Sequence, residues 1–361
     1  MRLFGRNAAG ALSCDDATHR HSATCCSRRA FLGGLAASAL ATPVAAQSTS
    51  EKPFRIDTHH HLSSPGFVAE ISGRRTGQVP LMQWSVQKSL DDMDKGGVAT
   101  SMLSISEPGV FFGNYDSARA LARECNEFGA KTIADHKGRF GQFAIVPLPD
   151  ADGALREIAH ALDTLKADGI CMMTDYQGKF LGDPAFTPVM EELNRRKAIV
   201  YTHPNRNDCC RNLIPGIPEP VIELGTDTAR TIASIVFTGT AHRFPDIQWI
   251  FSHAGGTAPA LMQRFAGLFA SRKDLQEKLP NGPAYHMERF FYDTASASTR
   301  APLVALTSVV KPSQIVFGTD FPFASASGVA AGLRQTQLFS PEDLRAIEYG
   351  NAARIMPRLR A

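Results

Sequence analysis

What most constrains this chain is a rhythm. Short apolar or alternating runs recur eight times, at Phe54–Asp57, Val98–Ser106, Phe140–Leu148, Gly169–Tyr176, Ala198–His203, Ile247–His253, Phe290–Thr294 and Ile315–Thr319. Each gives way to a stretch of helical character. Ser85–Lys95 places Val86, Leu90 and Met93 on one helical face, and Asp116–His136, Ala151–Ala167, Thr187–Lys197, Thr226–Arg243, Pro259–Ala270 and Pro302–Val310 follow the same rule. Asp152 and Ser340 mark helix starts, with acids near the first turn. Strands that alternate with helices pair in parallel, and eight such units predict a closed (β/α)8 TIM barrel. A doubly wound open sheet is the alternative, but no GxGxxG or GxxxxGK[ST] follows any strand, so its nucleotide-binding versions lack support. With no internal repeat and no low-complexity linker, residues 47–361 read as a single domain.

The first 46 residues read as an address. Ser27-Arg28-Arg29-Ala30-Phe31-Leu32 opens a short run of small apolar residues that ends at Pro43-Val44-Ala45-Ala46. A charged start, an apolar middle and a small-residue cleavage site make a secretory signal, too short and too rich in glycine and alanine to span a bilayer. The paired arginines resemble a twin-arginine signal, which predicts a folded protein exported to the periplasm. A translation start further downstream would leave it in the cytoplasm.

This segment also explains the charge. The formal net charge is +3, and Arg2, Arg6, Arg20, Arg28 and Arg29 against Asp15 and Asp16 account for all of it. The body is neutral and carries no basic stripe, which excludes an electrostatic case for nucleic acid. The body keeps Cys125, Cys171, Cys209 and Cys210, too few for a disulfide framework and without a CxxC. Cys209 and Cys210, being adjacent, can pair only as a vicinal bridge.

The histidines sit where a barrel does chemistry. Asp57-Thr58-His59-His60-His61 closes the first strand; in extended chain His59 and His61 project together and His60 points away. His203 ends the fifth strand, His253 the sixth and Asp320 the eighth. All five lie at C-terminal strand ends, the rim where barrel active sites are built. Imidazoles with one carboxylate suit one divalent ion, zinc first, with manganese or iron as alternatives. His253 is either a further ligand or an acid/base beside the metal. The fourth strand ends without a lysine to bridge two metals, which favours a single ion. His60, His136, His160, His242 and His286 read as surface or packing residues.

The pattern resembles the amidohydrolase superfamily, and its local wording is closest to the aminocarboxymuconate-semialdehyde decarboxylase branch. The stretches that carry the resemblance are Ile56–His61, Met93–Val98, Gly138–Phe140, Thr202–Pro204, Phe244-Pro245, Ser252–Gly256 and Phe317–Phe323. Ala122–Glu127, Pro147–Asp150 and Leu181–Pro184 are similar to the 6-methylsalicylate decarboxylases within it. The resemblance implies that His59, His61, His203 and Asp320 bind the metal and that His253 is the acid/base. It implies that Arg264, eleven residues beyond His253, reaches a neighbouring subunit's site to hold the substrate carboxylate, which requires a homodimer. Arg74 and Arg75 lie in the loop where the branch carries a second arginine. Trp84, Phe321 and Phe323 are candidate walls for the substrate ring.

Two reaction classes use such a site. The first is non-oxidative decarboxylation of a small aromatic or unsaturated acid such as an o-hydroxybenzoate, with the proton supplied by His253 or Asp320. The alternative is hydrolysis of a lactone or amide by metal-activated water. A third reading, a non-catalytic metal or ligand binder, requires a closed coordination sphere. The expected partner is a small carboxylate, with no membrane span once the signal is removed.

Overall fold

The structure, a computed structural model, describes residues 52–74 and 78–359. Residues 1–46, expected to be a signal segment, and Arg75 lie outside the described residues. Eight strands form one parallel sheet in chain order: β1 (Arg55–His61), β2 (Val98–Ser104), β3 (Phe140–Ile145), β4 (Gly169–Met173), β5 (Ile199–His203), β6 (Gln248–Phe251), β7 (Phe291–Asp293) and β8 (Ile315–Val316). The sheet closes on itself: Thr58 N donates to Phe317 O, Asp320 N to His59 O and His61 N to Phe321 O, at 2.8–2.9 Å. These bonds pull β1 four residues beyond its expected end, so the histidine triplet lies inside the strand. The eighth run is shorter than expected as a strand, yet its continuation to Phe321 still pairs with β1.

A helix follows each strand: α1 (Val86–Gly96), α2 (Tyr115–Asp135), α3 (Ala151–Ala159), α4 (Thr187–Arg195), α5 (Glu223–Phe237), α6 (Met262–Ser271), α7 (Arg300–Thr307) and α8 (Ala326–Gln335). Side chains of Ser85, Asn114, Asp150 and Ser325 cap α1, α2, α3 and α8. The cap of α3 is thus Asp150, two residues before the expected start, because its carboxylate reaches Gly153 N at 3.0 Å. Ser340 caps its helix as expected. The run Thr226–Arg243 breaks at Gly239, whose φ of +79° ends α5 and starts a separate short turn. The fourth run also divides: β4 stops at Met173, and Asp175-Tyr176 pairs instead with Lys179-Phe180 in a small hairpin.

Inside the barrel, Tyr201 stacks on Phe143 and forms a floor beneath the histidines. The N-terminal end is closed by ions. Arg55, buried at the start of β1, donates to Glu348 at 3.0 Å and to Gly96 O at 2.6 Å, and Arg334 reaches the other Glu348 oxygen. A buried charge is tolerable only when paired in this way. Chemistry is left to the opposite rim.

Candidate metal centre

β1 delivers two ligands from one face. His59 Nε2 and His61 Nε2 are 3.2 Å apart, and both face Asp320 Oδ1, at 3.1 and 3.0 Å. The His203 ring, from the end of β5, lies 5.3 Å from that of His59 and 4.7 Å from that of His61. One donor atom from each of His59, His61, His203 and Asp320 falls within 4.8 Å of the others, and all four residues are buried. Bonds of about 2.0–2.1 Å to one tetrahedral ion set donors about 3.3 Å apart, so this donor set fits a single divalent cation.

The electrostatics differ from donor to donor. Burial lowers the His59 pKa, but Asp293 and Asp320 outweigh it and push it up to about 10. Burial, reinforced by neighbouring imidazoles, holds His203 well below its usual value, and burial lowers His61 too. Burial alone would raise Asp320, yet His59, His253 and His61 hold it well below the carboxylate range. Without a cation the cluster thus keeps Asp320 charged, His61 and His203 neutral and His59 protonated between two carboxylates, so a bound cation would take the place of the His59 Nε2 proton.

His253 stands beside the ligands. Its Nε2 is 3.4 Å from Asp320 Oδ2, the carboxylate oxygen turned away from His59 and His61. The backbone there is unusual: His253, Ala254, Gly255 and Gly256 all have positive φ, from 55° to 76°. The two glycines permit this. A Cβ on Gly255 would sit 2.8 Å from the Tyr292 ring, and one on Gly256 would collide with Gly225 O. Non-glycine residues hold such a conformation only when their surroundings enforce it. Here Asp293 Oδ1 accepts His253 N at 2.8 Å.

Asp293 is the residue that the sequence reading missed. Its other oxygen, Oδ2, lies 2.8 Å from His59 Nδ1, which turns His59 Nε2 toward the shared centre. Asp293 ends the seventh strand as His61 and His203 end theirs, a position that by itself does not separate it from a helix cap. Asp57 has a similar supporting role: its carboxylate accepts His59 N, Thr319 N and Thr319 Oγ1, and contacts His60 Nδ1. His60 indeed points away, to Ser89 Oγ at 2.9 Å.

The proposed substrate residues are dispersed. Phe321 stacks on His60, with ring centroids 4.6 Å apart, on the side away from the ligands. Trp84 and Phe321 share a groove of about 420 Å³ beside α1 that includes none of the four ligands. Phe323 is closer to the centre, 6.1 Å from the His61 ring. Arg264 is exposed on α6, with no acidic partner among the described residues. A cavity of about 730 Å³, also lined by none of the four ligands, opens between the loops after β1, β2, β4 and β5, with Arg74, Phe111, Phe112, Tyr176, Asn205 and Arg206 in its walls. Cys209 and Cys210, in the loop after β5, are bridged to each other.

Comparison with known proteins places this geometry. The amidohydrolase family model matches residues 56–358. A decarboxylase, yanB, from Aspergillus niger is 36% identical over 325 residues, covering 84% of this chain and 88% of the relative. The 6-methylsalicylic acid decarboxylase acuB from Aspergillus aculeatus is 32% identical over 323 residues, covering 85% and 97%. A solved crystal structure of an amidohydrolase II superposes with a TM-score of 0.78 at 26% identity, covering 84% of this chain and 99% of that one.

Proposed function

The chain belongs to the amidohydrolase family, and from that premise we propose that it is a metal-dependent, non-oxidative decarboxylase. Its substrate is a small aromatic acid with an ortho hydroxyl, 6-methylsalicylate being the first candidate, since relatives at 32–36% identity are named decarboxylases and one of them acts on that acid. The observation that carries the reading is the convergence of His59, His61, His203 and Asp320 on one centre with His253 alongside.

A divalent ion held by those four residues would supply a Lewis acid able to draw the carboxylate and the ortho oxygen together. The chain's own residues do the rest. His253 Nε2 and Asp320 Oδ2, 3.4 Å apart, hold the proton that is delivered to the ring carbon bearing the carboxylate. That carbon becomes tetrahedral. The bond to the carboxylate breaks, CO2 leaves, and the electron pair returns to the ring. Asp293 fixes the His253 backbone and the His59 ring at once, so acid and ligand set keep one geometry. Phe323, beside His61, is the aromatic side chain placed to meet the ring.

Metal analysis coupled to product analysis tests this. Purified protein should hold about one divalent ion per chain, with zinc ahead of manganese for an imidazole-rich donor set. It should release CO2 from an o-hydroxybenzoate, and His253→Ala should keep the ion and lose about 10²–10⁴-fold in rate. Ring opening of a lactone without CO2 would overturn the reading in favour of hydrolysis.

A further inference from the structure

We propose that Arg206 grips the carboxylate of the incoming acid, and that Glu107 is the internal anion which the substrate displaces from it. The inference rests on the functional reading above and adds a recognition residue to it. Arg206 follows His203 by three residues in the loop after β5. Its Nε donates to Glu107 Oε2 at 3.0 Å, and its Nη1 lies 3.9 Å from Glu219 Oε2. Glu107 comes from the loop after β2, and its other oxygen accepts Gln78 Nε2 at 2.5 Å. Because β3 and β4 lie between β2 and β5 in the barrel, this ion pair straps one side of the mouth.

Burial singles out this arginine from the other two lining the cavity. The side chains of Arg74 and Arg211 are 46% and 47% exposed, and they pair with Glu70 and Asp208 in solvent. Water screens such pairs, which contribute little. The Arg206 and Glu107 side chains are only 15% and 2% exposed. A desolvated guanidinium is a planar fork that matches a carboxylate, and it attracts an anion far more strongly than an exposed one does. Left alone it would be costly, and Glu107 neutralises it while the site waits. Glu107 is a replaceable partner. Burial pushes its carboxyl up and Arg206 opposes that, so the Glu107 charge is held in place by Arg206. Phe111, Phe112 and Tyr176 line the same cavity as Arg206, with the Arg74 guanidinium 4.4 Å over the Phe112 ring, and so give an aromatic acid walls to lie against.

The two partners should respond in opposite directions. Glu107→Gln keeps the shape and removes the competing charge, so KM for the acid should fall about 3–10-fold. Arg206→Gln should raise KM about 10–100-fold, with the loss sitting mainly in KM, and Arg206→Lys should fall between. Binding of benzoate to the metal-loaded protein, followed by calorimetry, should show the same order: Glu107→Gln tightest, wild type next, Arg206→Gln weakest. If benzoate follows this order but no variant releases CO2, the decarboxylase reading fails and the role of Arg206 stands. If both substitutions weaken benzoate together, if Arg206→Gln leaves it unchanged, or if neither wild type nor Glu107→Gln binds it, the pair only holds the fold and the proposal is overturned.

Discussion

At the residue scale, the centre depends on side chains that never touch the shared point. Asp293 holds His59 Nδ1 with one carboxylate oxygen, and it pins the strained His253 backbone with the other. Removing one carboxylate therefore disturbs the His59 ring and the His253 backbone together. Asp293→Asn should weaken metal binding about 10–100-fold while the protein stays folded. Competition against a chelator of known affinity measures this, and unchanged affinity would remove Asp293 from the site. His59 and His61 were legible in the sequence because a strand's period of two needs no partner to be read. Asp293 was not, since a lone Asp ending an apolar run looks the same whether it caps a helix or orients an imidazole.

At the scale of elements, β4, α5 and the loop after β5 meet at Asp227. Its Oδ2 accepts Thr174 Oγ1, from the end of β4, and Asn205 N, two residues beyond His203. Burial, with Asp175 adding to it, pushes the Asp227 carboxyl up to about 6 against the hydrogen bonds from Thr174 and Asn205. The sign follows from linkage. The folded chain holds this proton more tightly than the unfolded chain, whose value is near the ordinary 3.8. Between about pH 4 and 6 the folded state binds more protons, so stability falls as pH rises, and the penalty is complete above the folded pKa. Asp227→Asn does not ionise. Its Tm advantage over the wild type should grow from pH 4 to pH 7, and a flat difference across that range would contradict the assignment. Element boundaries were the least legible part of the sequence for the same reason: β1 runs to His61 because the Phe317–Phe321 chain bonds to it, a partner distant in sequence.

At the scale of the whole molecule, the barrel divides its labour between two ends. The N-terminal end carries the Arg55–Glu348–Arg334 lock, and the C-terminal rim carries the ligand cluster. The cluster draws side chains from β1, β5 and the turn after β8, so an ion bound there ties together parts of the chain that unfolding separates. An ion that binds only the folded state adds stability that rises with its concentration over its Kd. Stripping it with a chelator should lower Tm by on the order of 10 °C, and returning one equivalent of metal should restore it. A Tm indifferent to chelation would mean that the four residues hold no ion.

The sequence by itself determined the repeating strand and helix units, the segments at the ends of the first, fifth, sixth and eighth runs that carry His59, His61, His203, His253 and Asp320, and the neutrality of the body. Those follow from local periodicity and residue chemistry, which need no knowledge of neighbours. Only the tertiary structure decided that Asp293 orients His59, that Phe321 packs on His60 away from the ligands, and that Arg206 and Glu107 meet across the mouth. Each is a contact between segments far apart in the chain. It exists because closure of the sheet brings those segments together, and no spacing along the chain encodes that distance.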